Sequence, residues 1–132
     1  MESEQTSVLR PLILVAEDDD SNFKLIKAII GKKCDIQWAK NGEEIVALFK
    51  EYGNEAKAIL MDIKMPVMNG LDATKIIRGE NKEIPIIMQT AYAFSSDKEN
   101  AMNAGASEVL VKPITLSILR NTLTKYFPEL VW

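Results

Sequence analysis

Apolar and polar positions along this chain follow two periods in turn. Leu12–Ala16 (LILVA) is a short apolar run between Pro11 and an acidic cluster, and it predicts a buried strand. Over Ser21–Ile30, Phe23, Ile26, Ile29 and Ile30 recur at helical spacing, and Gly31 stops the pattern. Asp35–Ala39 (DIQWA) alternates like a half-buried strand, and Asn41-Gly42 reads as a turn. Glu43–Tyr52 then places Ile45, Leu48, Phe49 and Tyr52 on one helical face. Ala58–Met61 predicts a strand ending at Asp62, and Gly70–Arg78 a helix carrying Leu71, Ile76 and Ile77. Ile84–Gln89 (IPIIMQ) predicts a strand ending at Thr90, and Ser95–Asn103 a helix of polar and small residues closed by Gly105. Glu108–Val111 predicts a strand ending at Lys112. Ile114–Phe127 is the last predicted helix, with Leu116, Leu119, Leu123 and Tyr126 facing inward.

Strict alternation of strand and helix, with short loops, implies an α/β fold. Its strands are parallel, and its crossover helices lie on both faces of a doubly wound, five-stranded sheet. Strands that are apolar almost throughout fit a sheet buried on both sides. The 132 residues, 47% of them apolar, suffice for one core and one domain. A net charge of -3 gives no basic face for nucleic acid. The single cysteine, Cys34, excludes an internal disulfide and fits a reducing compartment, and it reads as an inert buried thiol. Histidine is absent, which removes Ser-His-Asp and Cys-His catalysis, most zinc sites and any phosphohistidine on this chain. No stretch is long and apolar enough to span a bilayer. Residues 1–10 (MESEQTSVLR) are polar, lack a signal peptide's apolar run and read as a flexible lead-in or linker; 129–132 read as a C-terminal tail.

A doubly wound sheet places its functional site at the carboxyl ends of its strands. The residues there are Glu17, Asp18 and Asp19 after the first strand, Asp62 after the third, Thr90 after the fourth and Lys112 after the fifth. Packed carboxylates repel unless a cation neutralises them, and Mg²⁺ takes oxygen ligands readily. A lysine supplies a compact positive charge for an anion, and a threonine a short hydroxyl donor. Such a set suits a phosphoryl group carried on one carboxylate. Taken singly, each residue has a plainer reading. Asp19 and Asp20 read as helix-cap or turn residues, Trp38 and Phe49 as core, and Met61, Met65 and Met68 as packing or loop anchors.

These residues, in this order, resemble the response-regulator receiver family of two-component signalling over Leu12–Phe127. LILVAEDDDSN looks like the family's first strand and acidic pair, and MDIKMPVMNG like its phosphoacceptor loop. QTAYA and VLVKPIT match its strand-end Thr-Ala and Lys-Pro. The resemblance implies a flavodoxin-like, CheY-like three-layer sandwich of strand order 2-1-3-4-5 over residues 11–128. It implies a phosphoacceptor rather than an enzyme. Asp62 would take a phosphoryl group from a phosphohistidine on a histidine kinase or histidine phosphotransfer protein. Asp18, Asp62 and the Lys64 backbone carbonyl would bind Mg²⁺ directly, with Glu17 acting mostly through water and Mn²⁺ as a possible substitute. Thr90, Lys112 and the Ala91 N–H would contact phosphoryl oxygens, and the Lys112-Pro113 peptide would be cis. Val109 departs from the pattern, because a signalling Tyr or Phe often stands there. Lys64 and Tyr92 flank the acyl phosphate, and the bulk of Tyr92 would restrict attacking water.

Other families fit less well. A haloacid-dehalogenase-like phosphatase needs a second Asp where Lys64 stands. A flavodoxin-like flavin binder needs a phosphate loop where Glu17–Asp20 would repel phosphate. A degenerate docking receiver would not need Asp62, Thr90 and Lys112 together. No DNA-binding helix-turn-helix is read after the last helix. The EDDDSN run, with Asn22 near the helix start, and the MDIKMPVMNG loop look like a hybrid histidine kinase's receiver; a stand-alone regulator is the alternative. The expectations are a cytoplasmic domain, monomeric or weakly dimeric, without direct nucleic-acid or membrane contact.

Overall fold

In the computed structural model, residues 10–92 and 96–132 are described; residues 1–9 of the lead-in and the predicted helix start at Ser95 lie outside them. The chain runs β1 (Leu12–Ala16), α1 (Asp20–Ile30), β2 (Asp35–Ala39), α2 (Gly42–Tyr52), β3 (Ala56–Asp62), α3 (Gly70–Glu80), β4 (Ile86–Thr90), α4 (Asp97–Ala104), β5 (Glu108–Val111) and α5 (Leu116–Tyr126). All strand pairs are parallel, in the order β2-β1-β3-β4-β5. The doubly wound sheet expected from the alternation is therefore the fold.

Side-chain alternation splits the core in two. Along β1, Leu14 and Ala16 join Ile59, Met61, Ile86 and Met88 under α2, α3 and α4. Ile13 and Val15 join Leu60, Ile87 and Leu110 under α1 and α5. The sheet is thus the middle of three layers, and the site at its carboxyl edge is held from both faces.

Four helix starts are fixed by side-chain caps, each satisfying an otherwise orphaned N–H. Asp19 accepts from Ser21 N, Asn41 from Glu44 N, Asn69 from Asp72 N and Thr115 from Ile118 N. Asp19 is therefore a cap, as read, but Asp20 is not. It is the first residue of α1, and its carboxylate pairs with Lys40 at 3.4 Å. Asn41-Gly42 is a helix start rather than a free turn. Trp38 is half-buried rather than core, because β2 is an edge strand and the polar end of its indole reaches a backbone carbonyl. In α5, Leu119, Thr122 and Leu123 are buried, while Leu116 in the first turn is 48% exposed. Residues 129–132 fold back: Leu130 is buried, and the Trp132 indole donates to Thr124 Oγ1 at 3.1 Å.

The loop after β3 is tight. Met68 N donates to Pro66 O at 2.7 Å, which closes a three-residue turn around Val67, whose φ is +69°. Turns of this hand are rare and strained, and a β-branched residue suits positive φ least. Gly42 N and Gly70 N clamp the loop from either side, donating to Met68 O and Ile63 O at 2.8 Å each. A side chain at Gly70 would run into the Asp62 carbonyl. Val67 is 76% exposed, so its side chain contributes little packing to offset the backbone strain. Val67→Asn is expected to stabilise the domain by about 1 kcal/mol, raising the melting midpoint by a few degrees. A midpoint that stays put or falls in thermal denaturation would show that the turn is not strained.

Candidate functional site

The carboxyl ends of β1 and β3 are neighbours in the sheet, which brings Glu17 and Asp62 together. Glu17 leaves the ladder with its N–H donating to Ala39 O at 2.9 Å. Its side chain is fully buried, and Oε2 accepts from Asp19 N at 3.2 Å. Oε1 is buried with no hydrogen-bond partner among the described residues. Asp62 closes β3 and is 6% exposed. Asp18 faces solvent. One carboxylate oxygen from each of Glu17, Asp18 and Asp62 lies within 4.8 Å of the other two.

Lys112 enters from the far side of β4. Its backbone N–H donates to Thr90 O at 2.7 Å, and its ammonium sits 2.7 Å from Asp62 Oδ2 and 3.6 Å from Glu17 Oε1. The Lys112-Pro113 peptide is cis. One cation therefore serves two buried acids. Burial, and after it the Asp62 charge, pushes the Glu17 carboxyl up from 4.5 to about 7. Burial opposes the Lys112 ammonium, but its bond to Asp62 and the two acidic charges outweigh that, so its pKa is raised. A buried oxygen without a partner beside two more carboxylates is a donor set that fits a hard divalent cation such as Mg²⁺.

Thr90 is 2% exposed and lines the same cleft as Asp62. Its hydroxyl donates to Asp97 Oδ2 at 3.0 Å and accepts from Tyr92 N at 3.1 Å. A cleft of ≈ 200 Å³ opens beside Asp62, lined by Lys64, Thr90, Ala91, Tyr92, Asp97 and Lys112 among others. At its rim the Lys64 ammonium lies 4.8 Å from the Tyr92 ring centroid. Val109 is in β5 opposite Met88 and packs on the core, set back from the cleft.

The predicted residues thus fall into two groups. Glu17, Asp18 and Asp62 are in mutual reach with Lys112 paired to Glu17 and Asp62, and Thr90, Ala91, Tyr92 and Lys64 line the cleft around Asp62. Sequence reasoning missed two residues. Asp97 stands in the first turn of a helix, where an acid reads as dipole compensation, and only the fold sets it against Thr90. Trp38 reads as core by its size, although its indole N–H donates to Glu17 O at 2.8 Å.

Comparison with known proteins agrees with this geometry. The response regulator receiver domain model matches residues 13–124. The chain is 38% identical over 129 residues to hybrid signal transduction histidine kinase I of Dictyostelium discoideum, covering 89% of this chain but only 7% of that relative's length. Among solved structures, it is similar to the receiver domain of a sensor histidine kinase from Pseudomonas aeruginosa that carries a magnesium ion in its active-site cleft. That match has 32% identity, a TM-score of 0.83 and coverage of 91% and 99% of the two chains. It is also similar to the receiver domain of a Saccharomyces cerevisiae response regulator, solved with a histidine phosphotransfer protein. Here identity is 28%, the TM-score 0.82 and coverage 92% and 93%. The family match runs from Ile13 in β1 to Thr124 in α5 and so takes in every strand that delivers a residue to the cleft; this chain belongs to the response regulator receiver domain family.

Proposed function

We propose that this receiver accepts a phosphoryl group on Asp62 from a phosphohistidine of a histidine kinase or histidine phosphotransfer protein. The observation that carries the reading is the Asp62 carboxylate, bonded to Lys112 at 2.7 Å at the edge of an open cleft. Glu17 is buried with one oxygen already bonded, and Asp18 does not line that cleft. Of the three clustered acids Glu17, Asp18 and Asp62, Asp62 is the one that combines a place in the cleft with a hydrogen-bonded cationic partner. In the transfer, an Asp62 oxygen attacks phosphorus as the phosphorus–nitrogen bond to the donor histidine breaks. Lys112 shifts its ammonium from the carboxylate to a phosphoryl oxygen, so the arriving charge meets a charge already in place. The Thr90 hydroxyl has one proton, now given to Asp97, and releases it to reach a second oxygen, with the Ala91 N–H supporting a third.

Asp18, Asp62 and the Lys64 carbonyl would hold Mg²⁺, with Glu17 acting through water and Mn²⁺ able to replace it. The ion supplies charge neutralisation for the phosphoryl oxygens. Magnesium in the Pseudomonas receiver, and the phosphotransfer protein bound to the yeast one, support the same cofactor and partner class here. Asp62 is changed by the reaction and is restored only when the phosphoryl group is hydrolysed or passed on, so the domain is a signalling acceptor rather than an enzyme. The hybrid kinases it resembles support a place in such a chain, in the cytoplasm. No helix among the described residues is long and apolar enough to cross a membrane. We read the domain as a monomer or weak dimer, and its net charge of -3 supports the absence of direct contact with nucleic acid.

Incubation with Mg²⁺ and acetyl phosphate is expected to give one phosphoryl adduct by intact mass, absent in Asp62→Ala. An adduct that persists in that variant would place the acceptor elsewhere.

Glu17 makes the metal's effect depend on pH. A carboxyl raised from 4.5 to about 7 binds its proton more tightly folded than unfolded. Without a divalent cation, stability therefore falls as pH climbs across that window. A cation needs the carboxylate, so the Mg²⁺-induced rise in melting midpoint is expected to grow between about pH 5 and pH 8. Glu17→Gln flattens that growth. An equal Mg²⁺ shift at both ends in the wild type would rule out Glu17 as the titrating group.

Tyr92 is held at the cleft rim by the Lys64 ammonium. Tyr92→Ala is expected to shorten the phosphorylated lifetime several-fold by admitting water to the acyl phosphate. Equal dephosphorylation rates in the two proteins would remove Tyr92 from that role.

A further inference from the structure

We propose that Trp38 is a positioning residue for the acidic turn: its indole N–H sets the peptide between Glu17 and Asp18, and with it the affinity for a divalent cation. The inference rests on the reading that those acids hold the metal.

β1 leaves its pairing with β2 at Ala16 opposite Ala39. Beyond it, the Glu17 N–H still finds Ala39 O, but the Glu17 carbonyl has passed the end of the ladder. Trp38 supplies its partner, with the indole Nε1 donating at 2.8 Å. That carbonyl belongs to the peptide plane joining Glu17 to Asp18. Fixing its direction fixes the rotation of that plane, and therefore the direction in which Asp18 leaves the strand. Glu17 is then pinned at N–H, carbonyl and Oε2, while Oε1 keeps the 3.6 Å ion pair with Lys112 and accepts no hydrogen bond from the described residues.

The indole is itself braced. It stacks on Phe23 of α1 with centroids 4.0 Å apart and the planes 1° from parallel. Lys40 lies 4.8 Å from the ring centroid and is paired with Asp20 at 3.4 Å. Phe23, Lys40 and Asp20 thus lock the ring between the end of β2 and the start of α1, the two segments that flank the turn. A tryptophan present only for packing needs none of this alignment, and Trp38 remains half-buried on an edge strand.

Trp38→Phe keeps an aromatic ring for Phe23 and removes the N–H. A neutral hydrogen bond of ordinary strength corresponds to a loss of about three- to tenfold in Mg²⁺ affinity, read by calorimetry on the full chain. The maximal rate of phosphorylation by acetyl phosphate at saturating Mg²⁺ is expected to stay close to wild type, since the acceptor and Lys112 are untouched. General loosening of the fold would lower that rate as well. If Trp38→Phe folds poorly, an isosteric tryptophan analogue with sulfur in place of the N–H gives the same test with the ring intact. In a Trp132→Phe background the remaining indole, Trp38, is expected to change its emission on Mg²⁺ addition. A folded variant or analogue with unchanged Mg²⁺ affinity overturns the positioning role and leaves the metal reading standing. A wild-type protein that shows no Mg²⁺ binding overturns the metal reading, and this inference with it.

Discussion

The Lys112 ammonium stands 2.7 Å from Asp62 and 3.6 Å from Glu17, and among the described residues it is the one cation paired with these two buried acids at the edge of the sheet. Removing a buried charge's only partner leaves an uncompensated ion, which costs far more than a surface pair contributes. The arrangement is only half balanced, and Glu17 shows it: burial and the Asp62 charge push its carboxyl up to about 7, and one of its oxygens has no hydrogen bond among the described residues. A site built this way is poised to take more positive charge, or to exchange one anion for another around the same lysine. Both belong to the proposed phosphoryl chemistry.

The topology is what makes one lysine sufficient. Because β1 lies beside β3, Glu17 and Asp62 end on adjacent strands. Lys112 comes from β5, two strands away from β3, and only a side chain of its length crosses the end of β4 to reach Asp62. Gly70 has the opposite requirement. It has to have no side chain, because the loop returns directly over the Asp62 carbonyl. The strained turn at Val67 lies in that same loop, between the clamps at Gly42 and Gly70. Strain of this kind persists only where the surrounding bonds over-determine the backbone.

The strand ends were legible in the sequence because a buried parallel strand shows as an unbroken apolar run, and its functional residue is the first polar one after it. Asp62 and Lys112 announce themselves that way, and Thr90 does so one residue behind Gln89. The fold class followed from the alternation, and element limits were missed by a few residues where pairing overrides local pattern. Ladder bonds to β1 extend β3 back to Ala56, for example. What stayed hidden depends on contacts between elements. Trp38 looks like core until its edge position is known. Asp97 looks like a first-turn acid until Thr90 is found beside it. Leu116 continues an apolar stripe, yet it stands in the first turn of α5 and remains half exposed.

Thr90 and Asp97 also bear on how phosphorylation would be felt at a distance. Val109 offers no aromatic ring to swing inward behind the threonine. The structure instead gives the threonine a different attachment, because its hydroxyl is bonded to the first residue of α4. A hydroxyl has one proton to donate. If it turns to a phosphoryl oxygen, Asp97 loses that bond just as a second anion arrives in the same cleft. Both changes act on the start of α4, which is the helix without a side-chain cap at Ser96 and with few buried residues. The helix least secured by its own sequence is therefore the one tied to the Thr90 hydroxyl, and under the proposed function it is where a signal from Asp62 would first change the surface.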